Sequence, residues 1–366
     1  MQSDRFRPLL DAKGPYASVY FEDSHDTEDA AAQLDITLRD LRTRLEEQGA
    51  DAEMCDRLEE AVRDSTPPVG KSGRAVIATA DGVVFDQRLI GPTPAPIVRV
   101  STLPYVVPVI QYGYDQPSFA VVAIDHAGGD VEIHHGGRVR KETVDASGYP
   151  VHKASGAETP GYGDAQRAVE GARDKNVQSV ADRVTALVDD DAPEVVFVVG
   201  EVQSRKDLIS RLPDRVADRA IELVHVGART DISETQLHLG ISAEFQRLHL
   251  AAVDDTAERF VAELGRGAGL ATEGLAGVTA ALRGGAVDTL VIGAMDDSTV
   301  VAGDDLATVS PSADVLSQFG EAPSRVLRAD EALPMLAVST GASLMPAAQR
   351  ISPRDGVGAI LRYSVS

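Results

Sequence analysis

The sequence predicts a chain of three domains: α+β over residues 1–113, α/β with a mixed sheet over 114–230, and a linker helix with an α/β sandwich over 231–366. Three observations carry that prediction. A length of 366 residues exceeds what one hydrophobic core usually serves, since domains run about 100 to 150 residues. Three strand-like runs then lead into alternating helix and strand patterns, the order expected of a mixed sheet. Last, a long helical pattern stops in Gly265–Gly269 and a second alternating stretch follows it.

In the first domain, Ala17–Phe21 reads as a short strand, and Ser24, Asp26 and Thr27 offer N-caps to a helix with Leu34, Leu38, Leu41 and Leu45 on one stripe. That helix stops at Gly49. A second helix carries Met54, Leu58 and Val62 and ends before Pro67 and Pro68. Arg74–Thr79 and Val83–Leu89 flank Asp81-Gly82, a dipeptide that supplies the positive φ angles of a tight hairpin. Pro92, Pro94 and Pro96 mark an exit, and the apolar run Tyr105–Ile110 is expected to return to the same sheet as a strand.

The second domain opens with Phe119–Asp125, Val131–His134 and Val139–Val144, separated by Gly128-Gly129 and Gly136-Gly137, which predicts an antiparallel meander with glycine turns. After it come a loop over 148–167, a helix with Val169, Val177, Val180, Val184 and Leu187 on one face, and the apolar run Val195–Val199, expected to be a fully buried strand. A helix from Ser204 and a strand near Leu223–Val226 complete it. The linker helix carries Leu237, Ile241, Phe245, Leu248, Phe260 and Leu264. The third domain is expected to run helix (Thr272–Arg283), strand (Val287–Ile292), strand (Thr299–Val301), helix (Ala313–Phe319) and strand (Met335–Ser339).

Charge narrows the function. A net charge of -22 argues against nonspecific coating of nucleic acid, because that binding comes from cations displacing phosphate counterions, so any nucleic-acid contact must be local. Basic residues do cluster, at Arg138, Arg140 and Lys141 and at Arg205, Lys206 and Arg211, although a charge run on a helix usually marks a solvated face. Cys55 is the only cysteine, so nothing calls for an oxidising compartment. No apolar run approaches the ~18 residues of a membrane span, and the N-terminus lacks a secretory pattern, so a cytoplasmic location is expected.

The loop is the least ordinary stretch. Gly148–Arg167 has no period and mixes glycine, Pro150, Tyr149 and Tyr162 with His152, Lys153, Gln166 and Arg167. Such residues suit a loop that reaches into a polyanionic cavity, with cations, stacking rings and close backbone approach, and they equally suit a surface excursion with no partner. Other motifs do not assemble. Gly265, Gly267 and Gly269 follow a helix where a dinucleotide fingerprint must follow a strand, and Ala337–Gly341 lacks the first glycine of a nucleophile elbow and the partners of a triad. Asp125, His126, His134 and His135 match no metal-ligand spacing. No catalytic constellation, metal or cofactor is expected.

Two stretches carry a resemblance. Gly274–Ile292 (GLAGVTAALRGGAVDTLVI) resembles the opening of the C-terminal domain of archaeal and eukaryotic class-one release factors and Pelota, and Asp355–Tyr363 (DGVGAILRY) resembles its ending. Val195–Leu208 is similar to the buried strand and basic helix start of the central domain. With Gly14–Thr27 and Gly148–Lys153, the chain resembles the bacterial branch of the archaeo-eukaryotic release factor family that includes ribosome hibernation factors. Release factors cleave peptidyl-tRNA with a Gly-Gly-Gln tip on the loop after the meander, and the loop here has none; the Asn-Ile-Lys-Ser tip that reads stop codons is also absent. The resemblance therefore implies a non-enzymatic occupant of the 70S ribosomal A site, with elongation factor Tu as a further partner; the alternative is a rescue factor that hydrolyses peptidyl-tRNA, with His152 or Gln166 positioning the water in place of the missing glutamine. Tyr149, Pro150, His152, Lys153, Tyr162, Gln166 and Arg167 would face rRNA at the peptidyl-transferase centre, and Arg138, Arg140, Lys141, Arg205 and Lys206 would touch rRNA elsewhere.

Overall fold

The computed structural model describes residues 1, 3–24, 29–65, 72–113, 117–135, 138–145, 162–304, 306, 308–318 and 320–365. It forms two compact units, Met1–Asp115 with Phe245–Ser366, and Gln116–Glu244. Among the described residues, no helix is long and apolar enough to cross a membrane.

The N-terminal stretch runs α1 (Arg7–Asp11), β1 (Tyr16–Glu22), α2 (Ala30–Glu47), α3 (Ala52–Arg63), β2 (Gly73–Thr79), β3 (Gly82–Leu89), β4 (Ile97–Ser101) and α4 (Val107–Tyr112). Its antiparallel sheet has the order β3-β2-β1-β4. Side chains alternate across a strand, so Ala17, Val19 and Phe21 of β1 meet Leu38, Leu41 and Leu45 of α2 and Met54, Leu58 and Val62 of α3. Asp51 caps α3 by accepting from the Met54 amide at 2.7 Å.

Three expectations fail here. Tyr105–Ile110 forms no strand; α4 occupies Val107–Tyr112, with Pro108 in its first turn, where proline leaves no helical hydrogen bond unmade. The fourth strand is instead β4, which follows the prolines. Asp29 rather than Ser24 precedes α2 and makes no side-chain cap, while Asp26 and Thr27 lie outside the described residues. In the β2–β3 turn only Gly82 has a positive φ, +142°, and the register shifts at Ile77/Ala78.

The second unit runs β5 (Phe119–Ile124), β6 (Gly128–His135), β7 (Arg138–Asp145), α5 (Tyr162–Asp191), β8 (Val195–Gly200), α6 (Val202–Arg211), α7 (Asp214–Ala217) and β9 (Ala220–Glu222). Helix α8 (Glu234–Arg266) begins in this unit and ends in the other. The sheet has the order β7-β6-β5-β8-β9, with β7, β6 and β5 antiparallel and β5, β8 and β9 parallel. It is the expected mixed sheet, and β8 is buried throughout. Val177, Val180, Val184 and Leu187 of α5 pack on Val122, Val131 and Val198.

Gly128-Gly129 is not a turn but the start of β6, Gly129 opposite Ile124. A Cβ on Gly129 would come within 2.9 Å of Val180 Cγ1, so the missing side chain lets α5 lie close on the sheet. The last strand is Ala220–Glu222, ending where Leu223–Val226 was expected to begin. The loop expected over 148–167 also ends early. Helix α5 starts at Tyr162, since Ala165, Gln166, Arg167 and Ala168 favour helix.

The C-terminal stretch runs β10 (Ala271–Glu273), α9 (Gly274–Arg283), β11 (Val287–Ile292), β12 (Thr299–Ala302), β13 (Val309–Ser310), α10 (Ala313–Gln318), β14 (Arg325–Arg328), α11 (Ala329–Ser339), β15 (Ser343–Pro346) and β16 (Val357–Leu361). These strands form sheets of order β10-β16-β11-β15 and β13-β12-β14. The two stretches quoted for their resemblance meet: β16 lies between β10 and β11, and Asp355 Oδ2 accepts from the Leu275 amide at 3.0 Å. Met335–Ser339, expected as a strand, is the end of α11; every residue from Ala329 to Val338 is buried, so no polar face reveals the helical period. Tyr20, Ile77 and Leu89 share one core with Leu290, Leu333 and Leu344, which joins the first and last stretches of the chain.

Candidate functional site

In open α/β sheets, functional groups gather beyond the carboxyl ends of the parallel strands. Here that end is where Ile124 of β5 pairs with Gly200 of β8 and with Gly129 of β6, and where Asp145 of β7 pairs with Gly128. The chain therefore leaves the sheet for residues 146–161 from this end. Asn176 of α5, buried, donates to the His126 carbonyl at 3.0 Å beside it. Residues 162–175 precede that contact, so α5 runs about 20 Å beyond it.

The mount is built from internally paired charges. Asp125 closes its turn by accepting from the amides of Ala127 at 2.7 Å and Gly128 at 2.9 Å. The Arg229 guanidinium donates to both oxygens of Asp130, at 2.7 and 3.1 Å, and to Asp125 Oδ1 at 3.4 Å. Its hydrogen bond holds the Asp130 carboxyl below the ordinary carboxylate range. His126 Nδ1 lies 3.7 Å from Glu201 Oε1. Gly200, at φ +119°, ends β8 where a Cβ would sit 2.0 Å from the Ile124 carbonyl oxygen, so no other residue fits. Asp125, Asp130 and Arg229 are thus paired with one another at this end of the sheet.

Tyr149, Pro150, His152 and Lys153 lie outside the described residues, and Tyr162, Gln166 and Arg167 occupy the first turns of α5. Arg138 opens β7 opposite His135, about 23 Å along the strand from Asp145. It is exposed, while Arg140 pairs with Asp191 at 2.6 Å and Lys141 with Glu132 at 2.6 Å. Both pairs are at the surface, where such bridges contribute little. Arg205 is a correction. It is 5 % exposed, donates to Glu222 at 3.1 Å and to the Gly200 carbonyl, and is not available to a phosphate. Lys206, next to it, is exposed.

The histidines divide in the same way. Asp125 and His126 stand at one end of β6's neighbour and His134 and His135 at the other end of the sheet, so the four do not meet. His134 stacks on Phe119 at 4.3 Å, and burial pushes its pKa down. Sequence reading missed Arg229, Asp130 and Asn176. Nothing marks them, because each finds its partner only through the fold.

The model of bacterial archaeo-eukaryotic release factor family 2 matches residues 118–266, the mixed-sheet unit through the end of α8. Over its whole length the chain is 50% identical to the uncharacterized proteins MT2704 and Rv2629 of Mycobacterium tuberculosis, with 100% of this chain and 98% of each covered. The chain belongs to the bacterial archaeo-eukaryotic release factor family. Among solved structures, this release-factor-family chain is similar to Pelota of Archaeoglobus fulgidus, at 12% identity over 80% of each chain with a TM-score of 0.39. It is also similar to archaeal Pelota in a model of ribosome-bound Pelota and ABCE1, at 14% identity over 100% of this chain and 95% of that one, with a TM-score of 0.42.

Proposed function

We propose that this protein binds the 70S ribosome and occupies the A site of idle particles, its first domain toward the decoding centre and residues 148–161 with the start of α5 toward the peptidyl-transferase centre. It blocks both centres and leaves peptidyl-tRNA uncleaved. One observation carries the reading: a release-factor-family chain whose segment between meander and helix holds Tyr149, His152 and Lys153, with Tyr162 and Arg167 in the helix start that follows, while no Gly-Gly-Gln occurs anywhere in the sequence. A hydrolytic factor needs a group aimed at the ester to gain even the ~10² to 10⁴-fold of one positioned base. An occluding factor needs only stacking and phosphate contacts.

The paired charges at the carboxyl end of the sheet support the same reading, because a segment that must enter a crowded cavity gains from a rigid base. The acidic remainder limits nonspecific RNA binding and complements basic ribosomal proteins. On this reading the protein works in the cytoplasm, and elongation factor Tu is a partner to test. A sucrose gradient of stationary-phase lysate, probed for this protein, tests the proposal. Comigration with 70S particles is expected, and a free pool under every growth condition would overturn it.

A further inference from the structure

In the unit formed by the first and last stretches, an open groove of about 1000 Å³ lies between Ile90–Pro92, the end of α4, the Gln246–Asp254 part of α8 and residues 346–350 after β15. That volume is at the upper end of the range for small-ligand sites. Its floor is apolar, with Val253 and Ala348 in a small buried cluster. The wall includes the half-buried ring of Tyr112, a flat face suited to stacking. On the rim stand the amides of Gln111, Gln246 and Gln349, and none of them hydrogen-bonds to another described residue. Each amide offers a donor and an acceptor side by side, the pattern that pairs with the edge of a nucleobase.

Charge decides against a phosphorylated ligand. Arg350, the guanidinium in the groove, already donates to the Asp254 carbonyl at 2.7 Å and pairs with the Asp254 carboxylate at 3.4 Å and with Glu258 at 3.4 Å. A phosphate placed there would meet two carboxylates and an occupied cation. The geometry points to this groove as a binding site for an unphosphorylated nucleobase or nucleoside, stacked on Tyr112 and held at its edge by the glutamine amides. The groove is separate from the sheet end described above, and the inference stands whether or not the ribosome reading does.

Titration of the full chain with adenosine, guanosine, cytidine and uridine, followed by saturation-transfer NMR and calorimetry, tests it. At least one nucleoside is expected to bind saturably and more tightly than its 5′-monophosphate. Tyr112→Leu and, separately, Gln246→Ala are each expected to weaken that binding about tenfold, the scale of one lost stacking or bidentate contact. Gln246 is exposed on α8, so its variant keeps the fold and keeps the test open should Tyr112→Leu unfold. Absence of saturable binding by all four nucleosides, tighter binding of the monophosphate, or full binding by both variants would overturn the inference.

Discussion

Arg99 of β4 reaches Glu331 of α11 at 3.1 Å, joining positions 232 residues apart. The same guanidinium donates to Asp330 at 3.0 Å and lies over the Tyr105 ring at 3.5 Å, and Ser101 donates to the second Glu331 oxygen at 2.6 Å. Glu331 is 1% exposed, and burial pushes its carboxyl above the ordinary range. Arg99→Ala would leave that carboxylate with Ser101 alone, at a cost of about 3 kcal/mol, the lower end for breaking a buried pair because Arg99 is partly exposed. The pH dependence follows from the direction of the shift. A raised folded pKa adds stability below the unfolded value, and this is lost as pH rises through the folded value. The variant's deficit should therefore shrink from pH 7 to pH 4, as the carboxyl takes up a proton. Melting curves at both pH values check this; an equal deficit at both would mean that Glu331 is not the group left exposed to the loss.

Adjacent residues of α6 should separate structure from binding. Arg205→Glu puts a carboxylate beside Glu222 and leaves the Gly200 carbonyl without its donor, a loss of about 3 kcal/mol or more. Lys206→Glu, on the exposed face, should stay within about 0.5 kcal/mol of the parent. If Lys206 meets an rRNA phosphate, its variant lowers the log–log salt slope of ribosome binding by about one. An unchanged slope would place Lys206 in solvent.

Glycine replacements give opposite signs at two sites. Gly200→Ala combines a positive φ with a backbone oxygen 2.0 Å from the new Cβ and should cost roughly 3 kcal/mol or more. Gly265→Ala, within α8 and with nothing inside 4 Å of its Cβ, should stabilise by up to about 1 kcal/mol. Chemical denaturation of the two proteins checks both, and an unchanged Gly200→Ala midpoint would contradict the geometry at the end of β8.

Periodicity made amphipathic elements legible. Leu38, Leu41 and Leu45 of α2 and Val177, Val180 and Val184 of α5 lie on helices with a polar face against an apolar one, and the structure places them as read. It failed at two buried runs that were read as strands and are helical. Helix α11 and the run before α4 have no polar side, so helix and strand look alike in the sequence. Short strands such as β14 and β15 depend on partners far along the chain. The site shows the same division. Tyrosines and cations of the 148–167 stretch stand out by type, whereas Arg229 finds Asp130 across 99 residues and Arg205 turns inward, both decided by tertiary packing.

The central claim is occupancy without cleavage, and 70S ribosomes carrying labelled peptidyl-tRNA in the P site test it most directly. Incubated with the protein and then challenged with puromycin, the particles should retain their label as intact peptidyl-tRNA, with the protein cosedimenting and the puromycin reaction suppressed. A variant with residues 151–161 shortened to a few glycines and serines should melt as the parent does and restore that reaction. Release of labelled peptide before puromycin is added would show a hydrolase, and full puromycin reactivity on particles that hold the intact protein would contradict occlusion.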